Sequence, residues 1–256
     1  MPGGYAGKFL DVDLTREKIK DTVIDDETLE AYLGGRGLGA KILWDRIGKN
    51  WHDIEPLGPE NIFIALTGPM TGIYPGGRIC CTGKSPVSNG TVGSTAATEL
   101  AHELKTAGYD GVIVSGKASN PVYIMVTDEG GEIRDASHLW GKLGDETIKM
   151  LNREVGEELR RRNPNIGLLR EPGKIYIGPA GENMVRNAAV MSKLCHAGRY
   201  GGYGSVMGSK NLKAIVAKGR GPLPEVYAPE AVKVLWRKVH DYLINRDAFR
   251  RQGTGY

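Results

Sequence analysis

The stretches NIFIALTGP (61–69) and KIYIGPAGEN (174–183) decide the fold, because the same order of features follows each of them. The first leads through a glycine-rich loop and a predicted helix to YDGVIVSGKA (109–118). The second leads through another glycine-rich loop to NLKAIVAKGRG (211–221). An apolar strand that ends in Gly-Pro, a glycine loop and an Ile-Val strand therefore occur twice, which indicates an internal duplication.

Hydrophobic patterning predicts the remaining elements. The predicted strands cover 8–13, 61–66, 78–82, 111–115 and 121–126, and the last leads to a turn at 129–131. The predicted helices cover 26–33, 40–47 and, capped by Ser94 and Thr95, a segment to about 106; another begins at Asp145. The segment GRGLG (35–39) is interpreted as a turn between the first two helices. Strands interleaved with few helices favour an α+β fold over regular βαβ winding.

The composition is typical of a soluble globular protein, with 40% apolar and 25% charged residues. No stretch approaches the ~18 consecutive apolar residues of a membrane span, and the first residues lack a secretion signal. The net charge of +4 is spread along the chain, which argues against binding to nucleic acid. We therefore predict a cytoplasmic protein without nucleic-acid or membrane partners.

Cysteine is scarce, with only Cys80, Cys81 and Cys195. An odd number without disulfide-like spacing indicates a reducing compartment. Cys80 and Cys81 are adjacent in a predicted strand, so their side chains should point to opposite faces. Because no CxxC occurs, this chain by itself is not expected to hold a four-cysteine iron–sulfur cluster.

The sequence predicts three parts. Residues 1–218 form the main domain, and residues 219–228, within the proline-containing segment GRGPLPEVYAP (219–229), form a linker. Residues 229–256 begin a truncated helical domain, since Pro229 suits the first turn of a helix. The apolar residues of this helix recur at helical spacing and are Val232, Leu235, Trp236, Val239 and Leu243.

The two glycine loops carry the candidate binding residues. Arg78 follows Gly76-Gly77, and the chain then approaches the predicted helix start at Ser94 and Thr95, an arrangement that suits an anion although a structural turn is more common. The second loop contains His196 and Arg199. Gly208-Ser209-Lys210 has the reverse order of a phosphate-loop motif, so a nucleotide fingerprint is not predicted.

Six blocks of the sequence carry a resemblance to a known family. They are LGGRGLGAKIL (33–43), GGRICCTGKSP (76–86), ELKTAGYDGVIVSGKASNPVYI (103–124), IRDASHLWGK (133–142), IGPAGENMVRNAAVMS (177–192) and GSVMGSKNLKAIVAKG (204–219). In order and spacing, these blocks resemble the amino-terminal domain of aldehyde:ferredoxin oxidoreductases. The same family includes the catalytic subunits of benzoyl-CoA reductases and other tungsten enzymes.

The resemblance implies a base of two related, mixed β-sheet halves on which two pyranopterin dithiolenes lie. The four dithiolene sulfurs would hold tungsten, or molybdenum, without a thiolate from the protein. The domain would bind two pterin phosphates bridged by Mg²⁺, and Arg78 matches an arginine on one phosphate. A second contact matches Thr95 and Ala97, where the family often has Asn-Ser-Gly and this chain reads Thr-Ala-Ala.

A third contact of the family matches the second glycine loop. The matching residues are His196, Ala197, Gly198 and Arg199. The extra Tyr200 before Gly201 leaves their register open by one residue. Mg²⁺ would be bound through the backbone of Thr95 and Ala197 rather than by side chains.

For an intact enzyme, the resemblance implies oxidation of an aldehyde to a carboxylic acid, with electrons passing through a [4Fe–4S] cluster to ferredoxin. The cluster and most of the substrate channel would belong to domains beyond Tyr256. The chain is then either a truncated or proteolysed piece of a longer chain or one subunit of a split enzyme, and a homodimer is also compatible. Alternatives are a non-catalytic pterin-binding fragment or subunit and a benzoyl-CoA reductase-type catalytic subunit.

Overall fold

The computed structural model describes residues 3–73, 77–246 and 251. The chain forms two compact units, Met1–Pro224 and Glu225–Tyr256. Gly76 of the first predicted glycine pair, and 247–250 and 252–256 of the predicted last segment, lie outside the described residues.

The first sheet of the larger unit has six strands in the order β2-β1-β6-β3-β4-β5. These strands are β1 (Phe9–Asp13), β2 (Lys18–Thr22), β3 (Phe63–Leu66), β4 (Arg78–Thr82), β5 (Ser94–Ala97) and β6 (Gly111–Ser115). Two helices, α1 (Asp26–Tyr32) and α2 (Gly35–Ile47), connect β2 to the β3 segment. A short helix, α3 (Leu100–Thr106), connects β5 to β6.

The second sheet also has six strands, in the order β11-β10-β9-β12-β7-β8. They are β7 (Val122–Thr127), β8 (Gly130–Asp135), β9 (Gly173–Tyr176), β10 (Val190–Met191), β11 (Ala197–Gly198) and β12 (Leu212–Lys218). The helices of this half are α4 (Gly144–Arg162), α5 (Pro179–Glu182) and α6 (Tyr203–Ser209).

The two sheets have the same topology. In the first, β1–β6 is parallel, whereas β1–β2, β3–β4, β4–β5 and β3–β6 are antiparallel. In the second, β7–β12 is parallel, whereas β7–β8, β9–β10, β10–β11 and β9–β12 are antiparallel. The predicted duplication and the α+β fold class are therefore confirmed. Each half also begins with a hairpin, β1–β2 or β7–β8. The duplication predicted from the sequence did not include these hairpins.

Both sheets are covered on both faces. The largest apolar cluster joins residues of the two sheets, such as Val112 and Ile215, with residues of α3 and α6. A second cluster packs α1 and α2 on the other face of the first sheet, and a third packs α4 on the other face of the second sheet. Burial on both faces explains why the central strands are almost continuously apolar.

The adjacent cysteines show how the strand alternates between two faces. Cys81 belongs to the large cluster, whereas Cys80 faces α2, where a Cβ added to Gly35 would lie 3.4 Å from the Cys80 Cβ. The prediction that Cys80 and Cys81 point to opposite faces is therefore confirmed.

The predicted turn at residues 35–39 is wrong, because these residues form the first part of α2. The glycines permit close packing instead of breaking the helix. A Cβ on Gly37 would lie 2.7 Å from the Tyr32 carbonyl oxygen, and a Cβ on Gly39 would lie 2.9 Å from the Thr82 hydroxyl.

The predicted helix cap at Ser94 and Thr95 is also wrong. Both residues lie in β5, which pairs with β4, and α3 begins at Leu100. The Leu100 amide instead donates to the Thr98 hydroxyl at 3.1 Å. Because no helix begins at Ser94, this position offers no anion site at a helix start.

In the second unit, α7 spans Pro229–Ile244 and has proline in its first turn, as predicted. None of its residues is buried, and the apolar residues Val234, Leu235 and Trp236 are between 40% and 50% exposed. Across the described residues, no helix has both the length and the apolar character that a membrane span requires.

Candidate functional site

The outer strands β5 and β11 of the two sheets lie side by side, and we refer to the gap between them as the seam. At one end of the seam, the Tyr200 amide donates to the Ser94 hydroxyl at 3.1 Å. At the other end, the Ser192 hydroxyl donates to the Ala97 carbonyl at 2.6 Å. Gly198 permits this approach, because a Cβ there would lie 3.1 Å from the Ser94 hydroxyl.

The backbone of β5 directs the Thr95 carbonyl toward the seam. In an antiparallel ladder, the N–H and C=O of one residue point to the same side, and those of the next residue point to the other side. The Ala97 carbonyl points away from β4, since it accepts the Ser192 hydroxyl. The Thr95 carbonyl, two residues earlier in the same strand, therefore also points away from β4.

The carbonyls of β11 alternate in the same way. The Ser192 amide donates to the His196 carbonyl at 3.0 Å, so this carbonyl points toward β10. The carbonyl of the next residue, Ala197, must then point away from β10 and toward the seam. Each half thus directs one backbone oxygen toward the other half.

Thr95 and Ala197 occupy equivalent positions in the duplicated halves. In each half, the residue three positions before the proline of the Gly-Pro turn pairs with a residue of the next strand, and that residue pairs with Thr95 or Ala197. The two registers are Leu66–Cys80–Thr95 and Tyr176–Met191–Ala197. The two seam-facing carbonyls are therefore related by the internal duplication.

Each half also places an arginine near its seam-facing carbonyl. Arg78 begins β4, pairs with Ala97 and lies on the same sheet face as Thr95. Arg199 directly follows β11, two residues after Ala197, and thus corresponds in position to Ala97. Both arginines are exposed, and no carboxylate among the described residues forms an ion pair with either.

A cleft of about 400 Å³ opens where β5 ends. Its lining includes Ala97, Thr98, Glu99, His102, Lys193 and His196. The Lys193 ammonium lies 2.5 Å from the Glu99 carboxylate. Burial raises the pKa of the Glu99 carboxyl, but the hydrogen bond and charge of Lys193, a backbone hydrogen bond and the charge of Lys174 together lower the net pKa. The cleft brings the predicted residues Ala97 and His196 together.

A protein-family model described as "Aldehyde ferredoxin oxidoreductase, N-terminal domain" matches residues 9–219. The chain belongs to this family. It is 54% identical over 251 residues to an "Aliphatic sulfonate oxidoreductase, WOR-like subunit" of Pyrococcus furiosus, covering 98% of this chain and 40% of the relative. It is 44% identical over 218 residues to a tungsten-containing aldehyde ferredoxin oxidoreductase of Pyrococcus horikoshii, covering 84% of this chain and 33% of the relative.

A solved structure of the same fold comes from the active-site complex BamBC of benzoyl coenzyme A reductase in complex with 1,5-dienoyl-CoA. The TM-score is 0.83 at 36% identity, covering 96% of this chain and 36% of the other. This aldehyde ferredoxin oxidoreductase-family chain thus spans only about a third to two fifths of the length of these relatives.

The predicted family is confirmed, and the structure brings most of the predicted site residues together. Thr95 and Ala97 on β5 lie across the seam from Ala197 and Gly198 on β11, and His196 lines the adjoining cleft. Sequence reasoning missed Ser192 and the seam role of Ser94, whose hydroxyls join the two edges. No sequence signal marks these serines, because their partners lie about a hundred residues away.

Proposed function

We propose that the seam binds the phosphates of a bis-pyranopterin cofactor through Mg²⁺, and that this chain is the cofactor-binding part of a tungsten-dependent oxidoreductase. The observation that carries the proposal is the pair of equivalent carbonyls, Thr95 and Ala197, which point toward each other's strand with an arginine beside each. A ligand with two similar phosphate-bearing arms matches two similar half-sites.

The donor set fits the proposed ligand. Mg²⁺ and Ca²⁺ prefer oxygen ligands, including backbone carbonyls, and arginine forms charge-assisted hydrogen bonds with phosphate. Thr95 replaces an asparagine that is common in the family, so a side-chain amide contact would be lost whereas the carbonyl contact would remain. The small residues Ala97, Ala197 and Gly198 leave the backbone accessible at this edge.

The tungsten group, when bound, would supply the two-electron redox chemistry, and the residues of this chain would hold and orient it. In the complete protein we propose oxidation of aldehydes to carboxylic acids, with a [4Fe–4S] cluster passing electrons to ferredoxin. The support is the family match and the aldehyde ferredoxin oxidoreductases among the relatives. Residues 1–218 would be the cofactor domain, 219–228 a linker and 229–256 the start of a helical domain, in a cytoplasmic protein.

A second candidate substrate is an aliphatic sulfonate. The supporting observation is the 54% identity to the sulfonate oxidoreductase subunit, compared with 36% to 44% for the aldehyde enzymes. The same relative, and the BamBC complex, also favour a partner subunit in place of a homodimer.

The complete protein should be purified anaerobically and assayed for tungsten and pterin, for dye reduction with an aldehyde or an alkyl sulfonate, and for oxidation of a reduced dye with benzoyl-CoA. Tungsten and pterin with aldehyde-dependent reduction support the first candidate. Metal and pterin with dye reduction that depends on the sulfonate alone support the second candidate. Turnover of benzoyl-CoA alone supports a benzoyl-CoA reductase-type catalytic subunit. Absence of metal, pterin and all activity would leave a non-catalytic module.

We expect Arg78→Ala in the complete protein to lower its pterin content. The substitution removes a charge-assisted phosphate contact of about 1.5–3 kcal/mol. Pterin is measured by fluorescence after oxidation and compared with Arg153→Ala, which removes an exposed arginine on α4. Equal pterin content in both variants would argue against a role for Arg78.

A further inference from the structure

Arg36 lies in the first turn of α2, and its side chain packs across Gly93. A Cβ on Gly93 would lie 2.6 Å from the Arg36 Nε and 2.8 Å from its Cβ and Cγ. Gly93 is the residue before β5 and two residues before Thr95. Because Gly93 has no side chain, the Arg36 side chain can occupy the space above it.

The start of α2 lies over the face of the first sheet that carries Arg78. Arg78, Cys80 and Thr82 alternate with residues of the large core cluster and so share the opposite face. Gly35 faces Cys80 and Gly39 faces Thr82. Since cross-strand partners share a face, Thr95 lies on it as well. Arg36 and Arg78 are thus on one face, near the same seam-facing carbonyl.

The position of Arg36 is electrostatically unfavourable without a ligand. A basic side chain in the first turn of a helix meets the positive end of the helix dipole. The first turn of α2 contains no acidic residue, and no described carboxylate forms an ion pair with Arg36. Packing against Gly93 nevertheless holds the arginine near Thr95.

We infer that Arg36 is a further binding residue for the anionic cofactor, so that the first half of the domain uses two arginines, Arg36 and Arg78. This inference rests on the proposed function. Arg36 would donate charge-assisted hydrogen bonds to the phosphate-bearing arm on the β5 side. The bound anion would also offset the repulsion between Arg36 and the helix dipole.

Arg36→Met in the complete protein tests this role through cofactor retention. We expect pterin and tungsten to be released on dialysis about tenfold faster than from the parent, because a hydrogen bond to a charged group contributes on this scale. Arg36→Lys should release cofactor at a rate between those of the parent and Arg36→Met. The cofactor-free Arg36→Met protein should melt no lower than the cofactor-free parent, because the variant removes an unfavourable charge.

Gly93→Ala provides a second variant in which the arginine remains but is displaced by the new Cβ. It should also release cofactor faster. The matched control is Gly90→Ala in the same loop, where the nearest atom to a new Cβ is the Ser88 hydroxyl at 3.6 Å. Gly90→Ala should retain cofactor like the parent.

Three outcomes separate failure of this inference from failure of the proposed function. Parent-like retention by Arg36→Met, alongside faster release from Arg78→Ala, would overturn the inference about Arg36 alone. Faster release accompanied by a lower melting temperature of the cofactor-free Arg36→Met protein would also overturn it. A parent protein without pterin would overturn the proposed function itself.

Discussion

Replacing Gly208 with alanine should destabilise the chain by at least about 3 kcal/mol, at the upper end of overpacking effects. Helices α5 and α6 are in close contact at this point, and a Cβ on Gly208 would lie 1.9 Å from the Gly181 carbonyl oxygen. A Cβ on Gly181 would in turn lie 2.8 Å from the Gly204 carbonyl oxygen. Because the obstructing atoms belong to the backbone, rotation of a side chain cannot relieve the clash. Chemical denaturation of the purified chain would measure the loss.

Gly178→Ala is the matched control for this prediction. Gly178 lies at the start of α5, and nothing lies within 4 Å of a Cβ placed there. Its stability should stay within about 1 kcal/mol of the parent. Equal stability of Gly208→Ala and Gly178→Ala would contradict the close approach of α5 and α6.

Lys210 should make the stability of the chain depend on pH. Its side chain is fully buried and donates to the Gly116 and Pro59 carbonyls at 2.9 and 3.3 Å. Burial lowers the pKa of its ammonium from 10.5 to about 7. Between these values the unfolded chain binds the proton and the folded chain does not, so the destabilisation caused by burying the Lys210 ammonium decreases as pH rises. We expect a gain of about 3–4 kcal/mol between pH 7 and pH 10.

The measurement compares the parent with Lys210→Met, so that other titrating groups cancel. The free energy of unfolding of the parent, relative to that of the variant, should increase from pH 7 to pH 10. Below pH 7 the difference should level off, because the lysine is then charged in both states. A difference that stays constant across this range would contradict the lowered pKa of Lys210.

The strands that form the cores could be predicted from sequence, whereas the edge strands could not. β3 and β6 are buried apolar runs, and their predicted positions agree with the structure within two residues. β2, with the sequence KIKDT, is largely exposed and follows no apolar alternation, as is common for an edge strand. β5 and β11 are short and built from small residues, so neither carries a strand signal.

The candidate site could be predicted only in part. Arg78 was found because it follows a glycine pair and Arg199 because it lies within a glycine cluster, and both match the family pattern. Arg36 was not found, because its glycine-rich surroundings were interpreted as a turn. The space above Gly93 that holds its side chain depends on packing between segments more than fifty residues apart. No local sequence pattern indicates that these two segments are close in the fold.

The equivalence of Thr95 and Ala197 has a consequence for any bound molecule with two like arms. Both arms would meet the same main-chain arrangement, but different side chains surround them, since β4 supplies Arg78 on one side and the segment after β11 supplies Arg199 on the other. A ligand whose two arms are equivalent in solution would thus have two inequivalent arms when it is bound. Its two arms could then differ in acidity and electron affinity although their covalent structures are identical.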